Sequence, residues 1–223
     1  MAHVITTVSR PPAEELKAIG QFTPATLHEA QGRLGALDSR IKPIYPGMRA
    51  YGPAVTASCH PGDNLMLITA ISVAQPGDVL VVATGDHAEQ GGFGEVLATA
   101  CKARGIAALI TDAGVRDGPA IKALGFNVFC LGLCMKGTVK ETLGTVNHPI
   151  VIGGVAIEPG DFVSADDDGV VVVRKARLAE VARASAEREA KEAQIMAALR
   201  AGGDILELSG MRRVLETKGC RFA

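Results

Sequence analysis

Between residues 79 and 131 three short apolar runs, VLVVAT (79–84), IAALIT (106–111) and NVFCL (127–131), alternate with helical patterns. Brief apolar runs bounded by turn residues suit buried strands, and this alternation limits the middle of the chain to an α/β arrangement. The intervening helices are predicted from the glycine cluster at Gly91, Gly92 and Gly94 to Arg104, and from Gly118 to Leu124. Upstream, helices are expected after Pro11-Pro12 and from Thr23-Pro24 to Ala30, the latter carrying an N-cap followed by proline. Ala54 to Cys59 alternates like a strand, Asp63 to Ala74 reads as a helix, and Pro76-Gly77-Asp78 makes a turn into the first apolar run. Beyond Val139 the texture is β only. Strands are predicted over Pro149 to Val155, Phe162 to Ala165 and Val170 to Val173, punctuated by turns at Pro159-Gly160-Asp161 and Asp166 to Gly169. From Ala176 to Arg200 the Ala, Glu, Lys and Arg composition predicts a long exposed helix, able to reach a neighbouring subunit.

No linker or low-complexity tract divides the chain, so its 223 residues, 48% hydrophobic and 21% charged, are read as one domain over residues 1–223, with 176–223 a C-terminal helical extension. A net charge of −1 with scattered basic residues, and only 4% aromatics, argues against nucleic acid as a partner. A small molecule is the expected ligand. The odd count of five cysteines, mostly within apolar runs, reads as reduced thiols in the cytoplasm. The sequence has neither a signal-like start nor a run of the roughly 20 apolar residues that spans a bilayer, so no membrane association is expected.

The stretch from Gly91 to Asp117 carries the chemistry. Its glycines permit close backbone approach to a ligand, and a helix starting there aims unpaired N–H groups at a carboxylate or phosphate. Helix and following strand run antiparallel, which can return Arg116 and Asp117 to the end where Glu95 lies. A guanidinium forks onto a carboxylate, and a hard carboxylate binds Mg²⁺ or Mn²⁺. Plainer readings stand beside these: Glu95 can serve the helix dipole alone, and Asp117 can simply cap the helix after it.

Other motifs say less. The DDDG at 166–169 is a hairpin turn before it is a metal cluster. His28, His60 and His148 lack the spacing of a zinc site, and Cys130 and Cys134 do not form a CxxC. The GGFG tract is not GxGxxG and lacks the lysine of a phosphate loop, which disfavours nucleotides. Asp86, His87, Glu89 and Gln90 lie on an expected loop flanking the glycines, where they can touch a substrate.

Three tracts, GDHAEQGGFGEVLATACKARGIAALITDAGVRD (85–117), KGTVKETLGTVNHP (136–149) and VAIEPGDFVSADDDGVVVV (155–173), resemble the class II pyruvate aldolases that act on 4-hydroxy-4-methyl-2-oxoglutarate and 4-carboxy-4-hydroxy-2-oxoadipate. The family signature, an acidic residue, twenty intervening residues and then Arg-Asp, is met by Glu95 with Arg116-Asp117. The resemblance implies a three-layer β/β/α swivelling-domain fold, shared with a non-enzymatic RraA-type regulator of ribonuclease activity, a long C-terminal helix, and a homotrimer or homohexamer. It implies that N–H groups from Gly94, Glu95, Val96 and Leu97 hold the pyruvyl carboxylate, that Arg116 faces the oxygen that becomes the enolate, and that Asp117 binds a divalent cation (Mg²⁺ or Mn²⁺). Glu95 would hold metal-bound water, and Glu192, with Glu189 next, would enter the site of a neighbouring subunit. The implied activity is retro-aldol cleavage to pyruvate in aromatic-compound catabolism, with oxaloacetate decarboxylation as a side activity. No lysine sits in the glycine loop for an imine route.

Overall fold

The computed structural model describes residues 3–222, and of His87 the backbone only. Helices α1 (Ala13–Gly20) and α2 (Pro24–Ala30) lead into strands β1 (Lys42–Pro43) and β2 (Ala50–Ser58). Then come α3 (Leu65–Val73), β3 (Val79–Gly91), α4 (Glu95–Ala103), β4 (Ala108–Val115), α5 (Gly118–Leu124) and β5 (Asn127–Cys130). Short strands β6 (Gly132–Leu133), β7 (Thr145–Val146), β8 (Ile150–Ile152) and β9 (Val155–Ile157) precede the β10 (Phe162–Asp166) and β11 (Gly169–Val173) hairpin. The chain closes with α6 (Leu178–Arg200), α7 (Ile205–Leu208) and α8 (Met211–Thr217).

The main sheet runs β1-β5-β4-β3-β2-β10-β11, with β6 attached to β4 and β7 to β2, while β8 and β9 pair separately. From β2 through β5 the neighbours are parallel, and β10 lies antiparallel to β2 and β11. The path curls until its edges meet. Lys42 Nζ of β1 donates to the Asp168 carbonyl at 2.7 Å, and the Asp167 carboxylate accepts from Gly47 N at 2.9 Å. The DDDG turn therefore clasps a nearly closed barrel.

The continuous apolar runs are explained by burial on both faces. In β3, Leu80 and Val82 pack under α3, α4 and α5, whereas Val79 and Val81 face the strands β10 and β11 and the β8–β9 hairpin. That is the β/β/α layering which the family resemblance implies. A further helical cover lies outside it: Ile19, Phe22 and Leu27 with Leu178 and Val181 of α6 pack on Phe162, Val171 and Val173. The first half of α6 is thus pinned to its own chain, a correction to the expectation of a wholly exposed helix. No helix among the described residues is long and apolar enough to cross a membrane.

Both PGD turns use the same lock. Gly77 and Gly160 take left-handed φ values of 86° and 85°, which glycine adopts without steric cost. Each following aspartate is buried and held by an arginine: Asp78 by Arg10 at 2.6 and 2.8 Å, and Asp161 by Arg174 at 2.7 Å.

Three further expectations need correction. The predicted strand over Pro149 to Val155 is instead the β8–β9 hairpin, reversed at Gly153 and Gly154 with φ of 54° and 80°. The expected loop at 86–90 belongs to β3, which stays paired with β4 through two register shifts, the first at Gly85 and Asp86, both with positive φ, and the second between His87 and Gly91. The strand read from the apolar run ending at Thr111 extends through Asp112 to Val115 as β4. Asp112 is tolerated there because its carboxylate accepts from the N–H groups of Thr84 and Asp86 at 2.6 and 2.9 Å.

Candidate active site

Parallel β3 and β4 end side by side, and ligands of α/β sheets bind beyond such carboxyl ends. A cleft of about 310 Å³ opens there. Its floor is Gly91, Gly92 and Gly94, one wall is the first turn of α4 with Val96 and Leu97, and Arg116-Asp117 after β4 forms another. Asn64, Thr138 and Lys140 close the remaining side.

The glycines are there for proximity. A Cβ on Gly94 would stand 2.4 Å from Asp117 Oδ2 and 3.1 Å from Arg116 Nε, and one on Gly91 would stand 2.2 Å from the Cys134 carbonyl. Arg116 is fixed at its backbone, where its N–H donates to the Phe93 carbonyl at 2.8 Å. Asp117 adopts a left-handed φ of 59° and gives no side-chain cap to α5. Its Oδ2 instead accepts from Glu95 N at 3.0 Å, so it caps α4 across the loop. The plain reading of Asp117 as the cap of its own helix is therefore replaced by a cap in trans. Arg116 Nε lies 3.7 Å from the same oxygen, and both side chains stay open to solvent. The Val96 and Leu97 N–H groups lie in a first helical turn, where no intrahelical acceptor exists.

The structure brings Gly94, Val96, Leu97, Arg116 and Asp117 together in the lining of one cleft. Glu95 contributes its N–H to Asp117, but its side chain is exposed and does not line the cleft. Glu189 and Glu192 lie on α6 and do not line the cleft of their own chain. Glu189 accepts from Thr26 Oγ1 at 3.4 Å, and Glu192 pairs with Arg188 at 2.7 Å. Glu89 is salt-bridged to Lys136, and Gln90 packs on Gly62. The side chain of His87 lies outside the described residues.

Sequence reasoning missed the wall made by Asn64, Thr138 and Lys140. A single buried carboxylate builds it: Asp63 accepts from Leu65 N at 2.8 Å and from Glu141 N and Thr142 N at 2.7 Å. Burial pushes the Asp63 carboxyl up, but these N–H groups outweigh it and hold it below the ordinary carboxylate range. Asn64 donates Nδ2 to the Gly92 carbonyl at 2.8 Å, joining this wall to the floor. The buried thiols Cys59, Cys101 and Cys130 are pushed by desolvation to about 11, about 12 and about 11, which makes them poor nucleophiles.

A family model described as RraA-like, Aldolase/RraA, matches residues 17–172. The chain belongs to the Aldolase/RraA family. A member from Halalkalibacterium halodurans, provisionally named 4-hydroxy-4-methyl-2-oxoglutarate aldolase, is 36% identical over 188 residues, covering 81% of this chain and 90% of its own. Among solved structures, Streptomyces coelicolor RraAS2, described as an unusual member of the RNase ES inhibitor RraA family, is 30% identical with a TM-score of 0.75, covering 86% of this chain and all of its own. An uncharacterised Pseudomonas syringae protein is 25% identical with a TM-score of 0.77, covering 90% and 99%. Within this Aldolase/RraA fold, the described residues contain no group of three His, Cys, Asp or Glu side chains able to hold a metal. The cleft offers one carboxylate, Asp117, and that donor set fits a hard cation that keeps mostly water and ligand oxygens, as Mg²⁺ does.

Proposed function

We propose that the protein is a divalent-metal-dependent aldolase. It cleaves 4-carboxy-4-hydroxy-2-oxoadipate to pyruvate and oxaloacetate, and 4-hydroxy-4-methyl-2-oxoglutarate to two pyruvates. The observation that carries this reading is the junction at Gly94, where a guanidinium, a carboxylate and a helix N-terminus meet in one cleft. Val96 and Leu97 N–H groups receive the 2-oxo acid carboxylate. Loss of the 4-hydroxyl proton sends its electron pair into a new carbonyl at C4, breaks C3–C4 and leaves the pair as pyruvate enolate. Arg116 donates to the oxygen where that charge collects, and C3 then takes a proton. Asp117 would hold Mg²⁺ or Mn²⁺, which supplies Lewis-acid stabilisation when bound. Glu95, exposed beside the cap, serves water near the site, and Glu192 or Glu189 acts from a neighbouring subunit of a homotrimer or homohexamer. Loss of CO₂ from oxaloacetate yields the same enolate, so a side decarboxylase activity belongs to this reading, and catabolism of aromatic compounds is its setting.

The test couples pyruvate release from both substrates to lactate dehydrogenase, with and without EDTA. Cleavage that is abolished by EDTA and restored by Mg²⁺ or Mn²⁺ supports the reading. Metal-independent cleavage would sink the mechanism. No pyruvate from either substrate, together with specific capture of a ribonuclease, would favour a binding regulator such as the RraA name of the Streptomyces relative describes.

A further inference from the structure

Three charged side chains line the cleft: Arg116, Asp117 and Lys140. Arg116 has Asp117 beside it. Lys140 forms no ion pair among the described residues, whereas Lys136, on the same loop, is taken by Glu89. The backbone on both sides of Lys140 is tied down. Val139 N donates to the Gly62 carbonyl at 3.0 Å, the Val139 carbonyl accepts from Asn64 N at 3.1 Å, and Glu141 N donates to buried Asp63. An unpaired cation is therefore carried into the lining of the same cleft as Arg116 and the first turn of α4, on a short anchored segment. Such anchoring lowers the cost of ordering the side chain around a ligand.

We propose that Lys140 is a specificity-determining residue that receives a second, distal carboxylate of the ligand. This rests on the 2-oxo acid reading of the Arg116 end, and it assigns to one residue the selection of ligands with a further carboxylate over 2-oxo monocarboxylates. Arg116 and the α4 N-terminus are matched to one anionic head, and Lys140 is the remaining cation for another. A monocarboxylate with an apolar tail leaves Lys140 solvated and gains nothing from it.

Binding of 2-oxoglutarate and of 2-oxopentanoate, measured by calorimetry with Mg²⁺ present, separates the two ends without any turnover. The two ligands share the 2-oxo acid head and chain length, and neither carries the 4-hydroxyl that cleavage needs. The native protein is expected to bind 2-oxoglutarate about tenfold or more tightly than 2-oxopentanoate, as for a hydrogen bond to a charged group, with a preference that shrinks as salt rises. Lys140→Met should erase the preference while leaving 2-oxopentanoate affinity within about twofold, and Lys140→Arg should retain part of it. A preference that survives Lys140→Met, or its absence in the native protein, overturns the assignment. If the preference depends on Lys140 but no 4-hydroxy-2-oxo acid is cleaved, the assignment stands and the aldolase reading falls. If neither ligand binds, both fall.

Discussion

Arg10–Asp78, Arg174–Asp161 and Arg116–Asp117 are arginine–aspartate pairs with the same chemistry, but the first two and the third have opposite surroundings. In Arg10–Asp78 and Arg174–Asp161 the carboxylate side chain is 1% exposed. Each also accepts backbone N–H groups, from Gln75 at 2.7 Å and from Glu158 and Lys175 at 3.0 Å. Those carboxylates are saturated, and they hold turns. Arg116 and Asp117 are 49% and 43% exposed and stand 3.7 Å apart, and Asp117 accepts from one backbone donor, Glu95 N. Capacity left unused by the fold is capacity for a ligand. The difference lies in the number of partners already supplied, which residue type alone does not reveal.

The comparison can be broken at either end. Arg10→Met leaves Asp78 charged and buried with one backbone donor, and removal of one partner from a buried pair costs about 3 kcal/mol or more. For a chain of this size that lowers Tm by roughly 6–12 °C, read by calorimetry, with turnover per folded molecule unchanged. Arg116→Ala should do the reverse, lowering turnover by about 10²–10³ in the pyruvate-release assay, as for loss of one transition-state donor. Its Tm should stay within about 2 °C, because exposed pairs contribute little. A large fall in Tm for Arg116→Ala would place this pair with the other two.

Gly94→Ala sharpens the contrast by moving Asp117 without removing it. The added methyl meets Asp117 Oδ2 at 2.4 Å, so the carboxylate must leave the Glu95 N–H. Turnover should drop roughly ten- to a hundredfold, since displacement of about 1 Å costs that much. Loss of a cap removes about 1 kcal/mol of stability. Equal activity in this variant would show that the placement of Asp117 against α4 is irrelevant to the chemistry.

The elements that were legible are those whose burial leaves a residue-level mark. Leu80 and Val82 on one face, with Val79 and Val81 on the other, make a run with no polar break, and a buried strand is the simplest reading of it. The floor was legible as well, because three glycines ahead of an apolar helical pattern have few other uses. Polar strands were not legible. Residues 86–90 read as loop, yet their backbone continues the ladder beside β4 through two irregularities. Asp112 reads as a turn former, and only the N–H groups of Thr84 and Asp86 explain it inside a strand. The PIVIGGVAI run hid its reversal at Gly153-Gly154 because both arms are apolar. The Lys140 wall depends on Asp63 meeting Glu141 and Thr142, 78 and 79 residues further along, and no local pattern joins them.

That wall supplies the smallest predicted effect, and it runs through one titration. The Asp63 carboxyl is held below its ordinary range: burial opposes ionisation, and the N–H groups of Leu65, Glu141 and Thr142 outweigh burial. A depressed folded value means that the stabilisation is fully present above the unfolded carboxyl's range and is lost as pH falls through the folded value. The segment carrying Thr138 and Lys140 should thus stay anchored throughout the neutral and mildly acidic range, and it should loosen only below the ordinary aspartate range. In Asp63→Asn the amide retains one acceptor oxygen for N–H groups that now use two. Hydrogen exchange at Glu141 and Thr142 should accelerate about tenfold at neutral pH, as for loss of a hydrogen bond to a charged group. The preference for 2-oxoglutarate should weaken with it, while exchange at β3 and β4 stays unchanged. Unchanged protection of both amides in Asp63→Asn would mean that the Gly62 and Asn64 bonds to Val139 suffice to hold the wall.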